Sequence, residues 1–303
     1  MSFEIVNSLR DHKMVIVYHA HCADGIGAAW AASCEFPYAD VIPAGYQEEL
    51  SEEFLQSITN AVVLIVDFSF DAGNMRRICE KAKYVELLDH HTTALQKLVD
   101  FKAENFDMSS CKTERSGCGI VWEWLHGSEP MPPLLSHVED RDLWLFKLPD
   151  TKQVMAGFFS YEISLDVFDH YAYGTEPLKA AGEVALLIEN RQVTSIIKQC
   201  KRKWNIQGYK IAVVNCNGMF ASEVGSRLSQ THDFVITYFD DNEKGRKFSL
   251  RSVGDINVAN LCKRFGGGGH KNAAGYVDTE AFRSLARLIT FMEENDLTLI
   301  LKE

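Results

Sequence analysis

Three short apolar runs, each closing on aspartate or histidine, constrain this chain more than any other feature. The first spans residues 14–19 (MVIVYH) and is followed by Asp24. The second spans residues 61–68 (AVVLIVDF) and carries Asp67 near its end. The third spans residues 84–88 (YVELL) and runs into Asp89-His90-His91. Helical stretches separate them: residues 25–34, residues 72–83, and a segment starting at Thr92. Unbroken apolar runs alternating with helices predict a parallel sheet buried on both faces. Open sheets of this kind bind ligands in the crevice beyond the carboxyl ends of their strands. The fold class therefore gathers His19, Asp24, Asp67, Asp89, His90 and His91, although they span about 70 positions of sequence.

Taken singly, an aspartate at a strand end is most simply a helix N-cap, and a histidine on an apolar strand a hydrogen-bonded core residue. Those readings weaken when three successive strands repeat the pattern. Converging carboxylates repel one another and are costly to desolvate unless a cation or proton compensates. A divalent metal is the usual solution, and mixed carboxylate and imidazole donors suit Mn²⁺, Mg²⁺, Fe²⁺, Co²⁺ or Zn²⁺. An aspartate bridging two metals roughly 3.5–4 Å apart would make a hydrolytic site.

The second half reads differently. Residues 176–204 form a long predicted helix, with Leu187, Ile188, Ile196 and Ile197 apolar and Lys198, Lys201, Arg202 and Lys203 in its last turns. Beyond it come strands at 209–216, 234–239 and 247–253, a turn at 241–245, and helices at 222–228, 257–265 and 280–295. The expected architecture is α/β. A parallel-sheet domain with helices on both faces (residues 1–190) is joined by a helical linker (191–207) to a smaller α/β domain (208–303). Gly266, Gly267, Gly268 and Gly269 precede His270. Glycines admit positive φ and let backbone N–H groups approach an anion, and four exceed what a helix cap requires, so the run is expected to bind phosphate. Residues 1–190 hold 14 Lys and Arg against 30 Asp and Glu, whereas residues 191–303 hold 17 against 12. An acidic half accommodates a carboxylate-rich metal site and a basic half suits an anionic substrate, although solvated faces are the default explanation.

Other classes fall away. With 46% hydrophobic residues the chain is globular in composition. Its apolar runs are far shorter than the about 20 residues that span a bilayer, and no basic-then-apolar leader opens it, so a cytoplasmic protein without a membrane partner is expected. None of the eight cysteines forms a CxxC pair, which fits reduced thiols rather than a zinc ribbon. Gly25-Ile26-Gly27 is not a dinucleotide fingerprint, because Trp30 stands where the third glycine belongs, and GGGGHK is not a P-loop. Ser116 reads as an N-cap, and Cys118 has no neighbouring base to activate it. Trp122, Trp124, Trp144 and Phe146 are expected in the core, although one of them could stack a base.

The segments VIVYHAHCADG, VDFS, ELLDHHTTA and VEDRDLW, in this order and spacing, resemble the four motifs of the DHH phosphoesterase superfamily. Residues 249–275 (SLRSVGDINVANLCKRFGGGGHKNAAG) resemble the signature of the C-terminal domain that accompanies it. The resemblance implies two divalent metal ions, Mn²⁺ first among them, with Mg²⁺, Co²⁺, Fe²⁺ or Zn²⁺ as alternatives. It makes His19 a ligand of one metal, Asp24 a ligand of the other, Asp67 the bridge, and His90 a further ligand. Asp89 and His91 would orient these groups or contact phosphate. The fourth-motif ligand aligns best with Asp140, two residues before Asp142. On a strand the two would face the same side, and on a helix they would not. The first motif departs from the pattern. Its further aspartate is replaced by His21 or Cys22 or is missing, and either residue would soften the site towards Fe, Co or Zn. In the C-terminal domain, Arg251, His270 and the backbone of Gly267, Gly268 and Gly269 would hold a substrate phosphate, with Lys271 and Asn272 in support.

The activity implied is metal-dependent hydrolysis of phosphate esters in short single-stranded oligonucleotides or small nucleotides, as in the oligoribonuclease-like branch. A pyrophosphatase or exopolyphosphatase acting on phosphoanhydrides and a non-catalytic nucleotide sensor are the alternatives. No long basic tract is present to grip long DNA. The oligomeric state stays open, a homodimer included, and closure about the linker helix would gate a cleft between the domains.

Overall fold

Runs 62–66 and 84–88 bury every side chain, because both faces of their sheet are covered. The computed structural model describes residues 2–45, 49–242, 244–280 and 284–302. It divides into two units, Met1–Leu186 and Leu187–Glu303.

The first unit begins with α1 (Ser2–Ser8), β1 (Met14–His19), α2 (Ala23–Glu35), β2 (Asp40–Ala44), α3 (Glu52–Ser57) and β3 (Val62–Val66). It continues with α4 (Ala72–Lys81), β4 (Tyr84–Leu88), α5 (Thr92–Leu98), the two-residue β5 (Phe106–Asp107), α6 (Gly117–His126), α7 (Pro133–Asp142), α8 (Thr151–Phe158) and α9 (Leu165–Tyr171). The five strands form a wholly parallel sheet in the order β2-β1-β3-β4-β5. Alternation along the strands sends Ile16, Leu64 and Val66 into one core with α2, α6, α7, α8 and α9. Val15, Val17, Val63 and Ile65 enter a second core on the other face, with α3 and α4. Helix α4 shows how the sequence writes these layers. Met75, Ile78 and Cys79 recur at helical spacing on its buried side. Asp71 caps it, accepting hydrogen bonds from Gly73 N at 2.8 Å and Asn74 N at 2.9 Å, worth about 1 kcal/mol. Strand β2 (DVIPA) escapes a hydropathy reading because it is an edge strand, which is where its proline is tolerated.

In this strand order the chain reverses direction between β1 and β3, so their adjacent carboxyl ends form the topological switch point of the sheet. His19 closes β1 and Asp67 follows β3.

Helix α10 (Glu176–Cys200) precedes a second sheet made of β6 (Lys201–Ile206), β7 (Tyr209–Asn215), β8 (Phe234–Asp241), β9 (Gly245–Ser252), β10 (Gly268–His270) and β11 (Ala273–Asp278). Its helices are α11 (Gly218–Ser229), α12 (Val258–Lys263), α13 (Ser284–Glu294) and α14 (Leu297–Lys302). The sheet is mixed, in the order β10-β11-β9-β8-β7-β6, with only β7 and β8 parallel. Alternation again splits the core: Ile211 and Val213 pack with α12, α13 and α14, while Ala212 and Val214 pack with α11 and the end of α10.

Two expectations are corrected here. Of residues 191–207, expected as a helical linker, only 191–200 are helical: α10 stops at Cys200, and Lys201, Arg202 and Lys203 lie on β6, whose register with β7 takes over their backbone hydrogen bonds. Leu187 and Ile188 are exposed, at 67% and 53%, and the core under α10 is reached instead by Val193, Ile196, Ile197 and Cys200. The expected start of the last helix (281–283) and Glu243 in the expected turn lie outside the described residues.

Candidate metal centre

Two of the three strand ends turn through left-handed backbone. Asp67 leaves β3 with φ 63°, and His21, just after β1, has φ 57°. Left-handed backbone at non-glycine residues costs about 1–3 kcal/mol and concentrates at functional sites. Gly25 lets α2 start hard against β1, since a Cβ there would lie 2.4 Å from the His19 carbonyl oxygen. Gly117 does the same for Asp67, whose Cβ would be 2.5 Å from any added methyl. The N-terminus of α6 also anchors Asp24, which accepts from Gly117 N at 2.6 Å and from Cys118 N at 2.9 Å.

The resulting cluster is tight. His90 Nε2 lies 3.2 Å from Asp67 Oδ1, 3.7 Å from Asp24 Oδ2 and 3.7 Å from Asp142 Oδ2. His19 Nδ1 lies 3.4 Å from Asp67 Oδ2. Three groups with donor atoms within 4.8 Å of one another overlap here: His19, Cys22 and Asp67; Asp67, His90 and His91; Asp24, His90 and Asp142. Behind them Asp89, fully buried, accepts from the backbone N–H of His90 (2.8 Å) and of His91 (3.2 Å), and its Oδ1 lies 2.8 Å from His91 Nδ1. It therefore orients the triplet rather than joining the donor cluster. A cavity of about 380 Å³ opens on the cluster, lined among others by His19, Cys22, Asp24, Arg141, Asp142 and Phe159.

The electrostatics ask for a cation. Burial and the neighbouring carboxylates of Asp67 and Asp142 drive the Asp24 pKa well above its ordinary value. Burial would also raise Asp67, but the nearby imidazoles of His19 and His90 hold it well below the usual range. Burial would lower His90, yet Asp67, Asp24 and Asp142 raise it to about 9. Asp67 is 1% exposed, and neither of its carboxylate oxygens accepts a well-formed hydrogen bond among the described residues. Imidazole, carboxylate and thiol donors around such an orphaned carboxylate fit one or more divalent ions.

Not every expected residue joins. Asp140 does not: on α7 it faces away from Asp142 and is spent on the loop that follows. It accepts from Lys147 N (2.8 Å), Leu148 N (3.1 Å) and Thr151 Oγ1 (2.6 Å). Burial would raise its pKa, but these three donors hold it below the ordinary carboxylate value. Asp142 takes the position beside His90. His21 lines the cavity but belongs to none of the donor groups, whereas Cys22 does. Cys118 is buried against Ser116 and Leu135, and Ser116 caps α6 as expected. Trp144, expected in the core, is 46% exposed in the loop pinned by Asp140. Sequence reasoning missed Gly117 and the α6 amides. Their only signal was the SGCG string before an apolar helix.

In the second unit, Arg251 stands on β9 beside Ala273 of β11. Its stem lies over Gly225, where a Cβ would meet Arg251 Cγ at 2.5 Å. Its guanidinium donates to Leu250 O at 2.9 Å and to Ser222 Oγ at 3.0 Å, and burial lowers its pKa. No carboxylate pairs with it among the described residues. The glycine run is a turn entering an edge strand: Gly266 has φ 75°, and Gly267 lies so close to β11 that a Cβ would be 2.1 Å from Gly275 O. Gly268 has neither constraint, and His270 is exposed. Asn272 is committed to the 252–256 loop, donating to Ser252 Oγ at 2.9 Å and Ile256 O at 3.2 Å, and Lys271 pairs with Asp255.

Comparison with known proteins bears on the family and the fold. Residues 208–294 match the family model of the DHHA1 domain. Over 96% of its length the chain is 30% identical to uncharacterized protein R106 of Acanthamoeba polyphaga mimivirus, covering 72% of that protein. It is 22% identical to oligoribonuclease NrnB of Bacillus subtilis over 86% of its own length and 72% of that protein's. Its fold superposes on RecJ from Thermus thermophilus, solved in complex with Mn²⁺. That match has a TM-score of 0.57 and 17% identity, over 97% of this chain and 54% of that one. The chain belongs to the DHH superfamily and carries the DHHA1 domain at its C-terminal end.

Proposed function

We propose that this chain is a divalent-metal-dependent phosphoesterase acting on short oligonucleotides or small nucleotides. The observation that carries the reading is the overlap of three donor groups at the sheet's switch point, with the orphaned carboxylate of Asp67 shared between two of them. His19, Cys22 and Asp67 would hold one cation, and Asp24, His90 and Asp142, with Asp67, another. A cation held there lowers the pKa of bound water and stabilises charge developing on a phosphoryl group. Asp89 holds His91 through its Nδ1 and raises its pKa against the effect of burial, and the ring in its protonated form would donate from its other nitrogen to a phosphate oxygen. Arg251, a half-buried guanidinium without a carboxylate partner, suits a bidentate hold on a further phosphate.

A nucleotide is favoured over inorganic pyrophosphate by one feature. Trp144 and Phe146 both have left-handed backbone (φ 55° and 48°), make an edge contact at 4.9 Å, and come two and four positions after Asp142 in a loop held by Asp140. An exposed tryptophan fixed so close to a candidate ligand offers a face for base stacking, worth about 1–3 kcal/mol per base. The similarity to an oligoribonuclease supports the same substrate class.

The test is incubation with a short 5′-labelled RNA and, in parallel, pyrophosphate, each with Mn²⁺, with EDTA, and with the Asp67→Ala variant. Stepwise shortening of the RNA that requires metal and Asp67 is expected. Phosphate released from pyrophosphate alone would move the assignment to a phosphoanhydride hydrolase. Near-normal turnover by Asp67→Ala would refute the metal centre.

A further inference from the structure

The cluster holds a donor that its carboxylates and imidazoles do not require. Among the eight cysteines, Cys22 alone belongs to a potential metal-binding group of the described residues. Its sulfur lies within 4.8 Å of the donor atoms of His19 and Asp67. Tetrahedral sites with ligands at 2.0–2.3 Å need their donor atoms roughly 3.3–3.8 Å apart, so a small inward movement completes such a set. Local structure leaves the sulfur available. Cys22 precedes α2, but its side chain makes no capping hydrogen bond. The Gly25 N–H, in the first turn of α2, is directed at the sulfur, while burial and the carboxylates of Asp67 and Asp24 push the thiol well above its ordinary value, so the thiolate would form only with a bound cation. A second, independent feature points to a ligand: the buried carboxylate of Asp67 faces the same space, its oxygens 3.4 Å from His19 Nδ1 and 3.2 Å from His90 Nε2 but without a well-formed hydrogen bond among the described residues.

We propose that Cys22 ligates a metal ion together with His19 and Asp67, and that its sulfur selects a borderline cation (Zn²⁺, Co²⁺ or Fe²⁺) over Mn²⁺ or Mg²⁺ at this position. The inference rests on the metal-dependent reading above and refines it. The two halves of the cluster differ in donor chemistry: nitrogen, sulfur and oxygen on one side, and the carboxylates of Asp24 and Asp142 with His90 on the other. Softer ligands retain softer ions, so the two positions discriminate differently among the same pool of cations.

The test is titration of the metal-free full chain with Co²⁺, followed by absorption spectroscopy and by metal analysis after dialysis. The wild-type protein should show a sulfur-to-cobalt charge-transfer band. Cys22→Ser should lose that band while still binding cobalt through Asp24, His90 and Asp142. When Zn²⁺ and Mn²⁺ compete at equal concentration, Cys22→Asp should shift the bound ratio towards Mn²⁺ by about tenfold or more. Cobalt bound without the band, or a band that survives in Cys22→Ser, would overturn the role of Cys22 and leave the metal centre standing. No cobalt bound by the wild-type chain would overturn the metal-dependent reading itself, and this proposal with it.

Discussion

Asp140 and Asp142 stand two positions apart on α7 and do opposite work. The helix turns about 200° between them, so one carboxylate faces the following loop and the other faces His90. Their substitutions should therefore separate. Asp142→Asn should lower metal affinity and turnover by about tenfold or more, with little change in melting temperature. Asp140→Asn should leave metal stoichiometry intact and destabilise the fold by about 1–3 kcal/mol, because buried amides and a hydroxyl lose a charged acceptor. Metal titration and thermal melts on the pair check this, and the reverse pattern would restore Asp140 as the ligand. The sequence motif VEDRDLW could not choose between them, because the choice depends on helix phase.

At the scale of elements, the site depends on two close approaches made possible by glycine. Strand β1 meets α2 at Gly25, and Asp67 meets α6 at Gly117. Gly117→Ala would drive a methyl group into Asp67, at 2.5 Å from its Cβ and 2.6 Å from Oδ1. The expected result is a loss of about 1–3 kcal/mol from overpacking, with metal affinity reduced about tenfold as Asp67 is displaced. Gly174→Ala is the control, since nothing lies within 4 Å of a Cβ there. Calorimetric titration with metal should separate the two variants, and equal behaviour would remove Gly117 from the account. The elements themselves were largely legible in sequence: β1 at 14–19 and β4 at 84–88 match the expected runs. The helices α6–α9 that close one face were less so. Their apolar stripes name no partner, and their order on the sheet is set by packing.

Over the whole molecule, metal binding and folding are linked through protons. Below its ordinary value of 6.5, His90 is charged whether folded or unfolded, and its pairing with Asp67, Asp24 and Asp142 contributes stability. Because the folded pKa is raised to about 9, that contribution is lost as the pH rises through about 9. The raised pKa of Asp24 acts in the same direction, since its protonated form is the one the metal-free fold favours. A bound cation replaces these protons. The rise in melting temperature on adding a divalent ion should therefore grow as the pH increases from 6.5 towards about 9. A rise that shrinks over that range would contradict the linkage. Among the described residues no helix is long and apolar enough to cross a membrane.

The sequence by itself determined the strand–helix alternation, the delivery of Asp and His to strand ends, and the motif order of the DHH superfamily. Each of these is written in local pattern: hydrophobic period, strand length and residue type at fixed spacing. The tertiary structure alone decided that Cys22 rather than His21 enters the donor cluster, that Asp142 rather than Asp140 stands beside His90, and that α6 amides anchor Asp24. It also turned Lys201, Arg202 and Lys203 from a helix end into a strand. The physical reason is common to all four. The direction of a side chain, or the fate of a helix end, is set by partners that packing brings from distant sequence, and residue spacing along the chain carries no record of them.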